Sequence, residues 1–154
     1  MGTINRSVLI DAPQAAVWSA LADFQAVGDF HPTITSVDLE SDHNGGLGSK
    51  RTCYFKDGTK ISEEIVDWRD GESFTVVASN YSFPLKSMRA SMGVRSVDGK
   101  SEAFMKMEYV PKFGPLGKLM GMLMMNRMMG KIMDAVLEGL RAHLTTSQPA
   151  AEAA

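Results

Sequence analysis

The chain has 154 residues, of which 44% are hydrophobic and 22% charged, and its formal net charge is -2. That is the size and composition of one globular domain with one core, not of a disordered chain. A mildly acidic balance offers a polyanion no electrostatic footing, so nucleic acid is not expected as a partner.

The single cysteine, Cys53, rules out an internal disulfide and a cysteine-based zinc cluster. It fits a reducing, cytoplasmic compartment. No stretch reaches the roughly 20 apolar residues of a membrane span. Residues Met1 to Ile10 lack the long apolar centre of a signal peptide. Neither stable membrane insertion nor export is expected.

Thr3 to Ile10 reads as a first strand. Asp11 stands where a helix N-cap belongs and Pro13 where a first helical turn tolerates proline. Val17, Trp18 and Leu21 give the short helix that follows an apolar side. Val27 to Pro32 is broken by glycine and proline and reads as a turn or a second short helix.

From Ile34 to Val110 the chain reads as strands separated by turns. The turn signals are His43-Asn44-Gly45-Gly46, Lys56-Asp57-Gly58, Arg69-Asp70-Gly71, Phe83-Pro84 and Val97-Asp98-Gly99. Asp-Gly, a strong hairpin signal, occurs in three of them. Between the turns, residues alternate with period two. Ile61, Glu63 and Ile65 face one way; Lys60, Ser62 and Glu64 face the other. Met88, Ala90, Met92 and Val94 form a second such set, and Met105, Met107 and Tyr109 a third. One apolar face and one wet face is the antiparallel pattern. Six meandering strands after two short helices predict an α+β domain rather than a βαβ one.

Pro115 to Leu144 predicts one long helix. At 100° per residue, Arg127, Lys131, Asp134, Glu138 and Arg141 share a narrow sector. Met122, Met125, Met129, Ile132, Met133, Val136 and Leu140 lie opposite, as a stripe suited to cover a sheet. Leu116, Met120, Leu123 and Met124 break the rule by lying on the charged side. Three roles fit them: a cavity lid, a homodimer contact, or a brief touch on a membrane. Alternatively, Gly121 and Gly130 let the helix bend there. Residues 146–154 read as a disordered tail, leaving a single domain over 1–145.

This order resembles the helix-grip fold of the SRPBCC superfamily, the START and Bet v 1-like proteins, in its polyketide cyclase/dehydrase-like branch. The resemblance rests on Ala12-Pro13 with Val17-Trp18 and Leu21, Asp23-Phe24, Phe30-His31-Pro32, and Gly46-Leu47-Gly48 with Arg51. It continues through Gly58-Thr59 with Glu63, Asp67-Trp68-Arg69-Asp70, Pro84-Leu85 and Gly139-Leu140-Arg141. It implies a curved sheet of about seven strands (β-α-α-β6-α) gripping the last helix, with a cavity between them for a lipid- or polyketide-like molecule. Some members are enzymes that catalyse cyclisation or dehydration. His31 and Glu63 match cavity-facing positions of the hormone-receptor branch. The turns Phe55-Lys56-Asp57-Gly58 and Ser82-Phe83-Pro84-Leu85 differ from that branch's gating loops.

Glu63 also earns notice on its own. A carboxylate between two isoleucines on a buried face is costly unless paired or protonated. It either anchors a polar group of a ligand, acts as a general acid or base, or forms a salt bridge with Arg51 or another strand neighbour. His31 precedes Pro32 and is biased to an extended conformation. It either pairs with Glu63 across the cavity or bonds a nearby backbone group. His43 and His143 share no metal-ligand spacing with it, so no metal is expected, and no cofactor fingerprint occurs.

The sheet side of the cavity is expected from Ile61, Ile65, Met88, Ala90, Met92, Met105, Met107 and Tyr109. The helix side is expected from Met122, Met125, Met129 and Met133. Of the 12 methionines, seven fall between Met120 and Met133. Methionine is flexible and polarizable, suited to space that changes shape. An empty void of about 300 Å³, the small end of ligand pockets, would cost on the order of 7 kcal/mol. Total stability is only about 5–15 kcal/mol, so an enclosed cavity holds water, ligand or collapsed methionines. Binding or carriage of a hydrophobic molecule is therefore the leading expectation. A cyclase or dehydratase using Glu63 and His31, and a lipid or quinone chaperone for a membrane complex, are the alternatives.

Overall fold

The computed structural model describes residues 2–112 and 114–146. Strand β1 (Gly2–Ile10) is followed by helix α1 (Gln14–Ala22) and a 3₁₀ helix (Phe24–Asp29). Six strands follow: β2 (Ile34–Leu39), β3 (Lys50–Phe55), β4 (Lys60–Arg69), β5 (Ser73–Ser79), β6 (Leu85–Val97) and β7 (Lys100–Pro111). Helix α2 (Pro115–Thr146) completes the described chain. Residues 147–154, most of the expected tail, lie outside the described residues.

All five turn signals fall between consecutive strands of the meander. Gly45, Gly46, Gly58, Gly71 and Gly99 all adopt positive φ, which explains why the chain reverses at them. The start of α1 differs from expectation. Pro13, not Asp11, occupies the N-cap position, and no side chain caps the helix. The chain bends at Asp11 and Ala12, Pro13 keeps an extended ψ of 151°, and the helix begins only at Gln14.

The strands form one antiparallel sheet in the order β1-β7-β6-β5-β4-β3-β2. Every strand pairs with its sequence neighbour except β1, which docks on β7 across the sheet. Register fixes the inner face. Arg51 stands opposite Glu63 and Cys53 opposite Ile61. Ala78 stands opposite Glu63 and Val76 opposite Ile65. Met92 pairs with Met105 and Ala90 with Met107, which in turn pairs with Ile4. The sheet grips α2, whose Met125, Met129, Met133, Val136, Leu137, Leu140 and Leu144 are buried in the core. The helix-grip architecture is present.

Glycine sets how closely α2 approaches. A Cβ at Gly139 would overlap the backbone carbonyl of Phe30, the residue before His31. Gly130 lies under the guanidinium of Arg6, whose Nε also pairs with Asp134 at 3.4 Å. Arg6, whose alternation with Ile4 and Val8 turns it toward the helix, thus ties edge strand β1 to α2. Backbone cannot yield at Gly139 as a flexible arginine can at Gly130. Gly139→Ala is therefore expected to cost about 1–3 kcal/mol, in the range of overpacked cores. Urea denaturation measures it, and an unchanged midpoint would show that the loop carrying His31 shifts freely.

Candidate functional site

Between sheet and helix lies a cavity of about 400 Å³. An aromatic cluster packs behind part of its wall. Phe74 lines it and stacks near Trp68 (5.9 Å between centroids), and Phe24 meets Phe74 edge-on at 5.9 Å. Trp18 from α1 packs on Trp68 at 5.1 Å. Bulky rings of this kind fill the space where α1 and the 3₁₀ helix cross the sheet. Thr33, Lys56, Asp57, Thr59 and Phe83, from the turns, join the lining, with Met128 and Ile132 from α2.

Ten of the expected residues line this cavity: His31, Ile61, Glu63, Met88, Ala90, Met92, Met105, Met107, Met129 and Met133. Ile65, Tyr109, Met122 and Met125 fall outside the lining. Ile65 is buried opposite Val76. The Tyr109 hydroxyl donates to the Asn126 side chain and lies 3.3 Å from the Met122 carbonyl oxygen. Tyr109 and Met122 thus belong to the seam between β7 and α2. The helix presents Met128, Ile132 and Val136 to the cavity beside Met129 and Met133. Sequence reasoning passed over Met128, Cys53, Phe55, Phe74, Val76 and Ala78 as lining residues, and used Arg51 only as a potential salt-bridge partner. The period-two run Arg51-Cys53-Phe55, opposite Glu63 and Ile61, was the available signal.

Glu63 is paired. Its Oε2 accepts from Arg51 Nε at 2.7 Å and lies 2.6 Å from Nη2. Arg51 is itself buried; its Nη1 donates to the Phe24 carbonyl at 2.6 Å and its guanidinium lies 3.7 Å over the Phe24 ring. Three partners therefore hold one cation: a carboxylate, a carbonyl and a ring face. No described residue donates a hydrogen bond to Glu63 Oε1, so the pair retains an acceptor for a ligand donor.

His31 lines the same cavity without bonding Glu63. Its Nδ1 accepts from the Thr33 backbone N–H at 3.3 Å, and its ring packs near Phe55. With Nδ1 accepting, the proton of the neutral ring sits on Nε2. Burial lowers its pKa from 6.5 to about 4; Glu63 opposes that shift and Arg51 adds to it. The ring is neutral at pH 7. Burial pushes the Cys53 thiol up to about 12, with the Glu63 charge adding to the effect, so this sulfur is not a nucleophile at neutral pH. Among the described residues, no group of three His, Cys, Asp or Glu side chains is placed to hold a metal ion.

Residues 1–145 match the family model described as polyketide cyclase / dehydrase and lipid transport. The chain belongs to this family. A search of curated proteins finds no significant match. Among solved structures, the family fold is found in the ZhuI aromatase/cyclase from a Streptomyces species, at TM-score 0.81 and 13% identity over 97% of each chain. XoxI from Bacillus cereus is similar at TM-score 0.80 and 20% identity, over 94% of this chain and 96% of that one. Ara h 8.0201 matches at TM-score 0.68 and 14% identity, over 94% and 98%. At these identities the likeness establishes the fold alone.

Proposed function

We propose that this chain binds and carries a small hydrophobic molecule, seated on the methionine wall with its polar end toward Glu63, Arg51 and His31. The observation that supports it is the cavity: its volume suits a small ligand, and its walls are apolar except for a few convergent polar groups. The ligand's expected neighbours are Ile61, Met88, Ala90, Met92, Met105, Met107, Met129 and Met133, with Met128 and Ile132 added. A donor group on the ligand meets Glu63 Oε1. Ile65, Tyr109, Met122 and Met125, also proposed as ligand-binding from the sequence, contribute by packing behind these walls.

The test is titration with anilinonaphthalene sulfonate. Saturable fluorescence enhancement is expected, and Ala90→Phe, which places a ring in the cavity, is expected to abolish it. Equal enhancement by wild type and variant would overturn the reading. Native mass spectrometry of freshly purified protein would identify any molecule carried along.

A second reading has one observation in its favour: a neutral imidazole and a carboxylate share the cavity without being bonded to each other. A cyclase or dehydratase would use His31 and Glu63 to move protons on the substrate. Glu63→Gln and His31→Ala separate the two, because an enzyme loses turnover while a carrier loses only affinity. A cytoplasmic, reducing setting suits the single buried thiol. Among the described residues, no helix is long and apolar enough to cross a membrane.

A further inference from the structure

We propose that the N-terminal half of α2 docks the cavity mouth onto the surface of an anionic lipid bilayer. The first observation is exposure. Met120, Leu123 and Met124 are 74%, 65% and 72% exposed, far beyond what a packed helix leaves in water. The Leu116 side chain, grouped with them from the sequence, lies outside the described residues.

The second observation is continuity. Met120, Met124, Met128 and Ile132 succeed one another at intervals of four and form one row along the helix. Met128 and Ile132 are 40% and 36% exposed, and both also line the cavity. The row therefore runs from open surface into the cavity, so the apolar surface and the apolar interior are one path.

The third observation is charge. From Tyr109 to Met133 the sequence carries Lys112, Lys118, Arg127 and Lys131 and no Asp or Glu, in a chain whose overall charge is -2. Arg127 and Lys131 are exposed on the same sector as Met120, Leu123 and Met124. Acidic residues return only at Asp134 and Glu138. An apolar row flanked by cations is the composition of a helix lying in a bilayer interface, where long basic side chains reach the headgroups. At the mouth, Lys56 adds a cation. Asp57, the acid beside it, accepts from the Thr59 backbone at 2.9 Å and from its hydroxyl at 2.6 Å.

A second copy of the chain fits this face less well. A pair of α2 helices meeting here would bring the cations of both copies together with no acid between residues 109 and 133 to offset them. A bilayer with anionic lipids supplies the countercharge and the apolar phase together.

The test is flotation of the full chain with vesicles of equimolar phosphatidylglycerol and phosphatidylcholine, against vesicles of phosphatidylcholine alone. Binding to the anionic vesicles is expected, weakened by high salt. Each cation near such a surface contributes about a fivefold factor, so Arg127→Gln with Lys131→Gln should weaken partitioning about 30-fold. Leu123→Glu with Met124→Glu should abolish it. None of these four residues lines the cavity, and circular dichroism checks that each variant folds. Absence of flotation, or flotation equal in wild type and Leu123→Glu/Met124→Glu, would overturn the proposal. So would a stable dimer by sedimentation that these same two substitutions dissociate. Flotation is read without reference to any bound ligand, so its failure leaves the dye titration untouched.

Discussion

Arg51→Met is expected to lower stability by about 3–5 kcal/mol, the cost of leaving one member of a buried ion pair alone. Glu63 then faces an apolar cavity with its charge uncompensated, and the Phe24 carbonyl loses its donor. The size of the effect comes from desolvation rather than from the strength of the bond removed. A double variant, Arg51→Met with Glu63→Leu, therefore recovers most of the loss, because it removes both charges at once. Urea denaturation of the two single variants and the double variant forms the cycle. A loss under about 1 kcal/mol for Arg51→Met would mean that water reaches Glu63 freely and screens it.

The second large effect is a pH dependence. His31 has a folded pKa near 4 against 6.5 unfolded. Above 6.5 both states are neutral at this ring, and it contributes no penalty. As pH falls from 6.5 toward 4, the unfolded chain takes up a proton that the folded chain refuses, so stability declines. At pH 4 the loss is about 3 kcal/mol, an upper figure because the half-buried ring keeps some contact with water. His31→Gln removes a titrating group without removing a polar side chain. Its stability should therefore fall less than that of wild type between pH 7 and pH 4. Parallel curves for the two proteins would show that the imidazole is solvated.

The meander was legible because each turn carries its own chemistry. Gly58, Gly71 and Gly99 supply a backbone conformation that other residues rarely adopt, so the strand ends follow from local sequence. The inward direction of Glu63 was legible for the same kind of reason, since alternation is a property of a single strand. Asp11 misled because capping tendency is local while the exit of β1 is set by pairing with β7.

The helix wall was only partly legible. A helical wheel gives an apolar stripe about 100° wide, and both a packed seam and a cavity wall use such a stripe. Which part does which depends on how far the sheet stands from the helix. Tyr109 and Arg6, each bonding to α2, draw one side of the helix down onto β7 and β1. The other side is left to Met128, Ile132 and Val136. Nothing in the residues of α2 itself records that tilt. The Arg51–Glu63 pair was foreseeable as a pairing of cross-strand neighbours. The further bond from Arg51 to Phe24, 27 positions away in the chain, needed the folded chain.

Seven methionines line the cavity, and Met128 stands where solvent meets it. Thioethers take up oxygen from peroxide to become sulfoxides, which are polar and chiral where the parent side chain was neither. Oxidative stress would thus rewrite the preference of this wall with the gene unchanged, and methionine sulfoxide reductases would restore it.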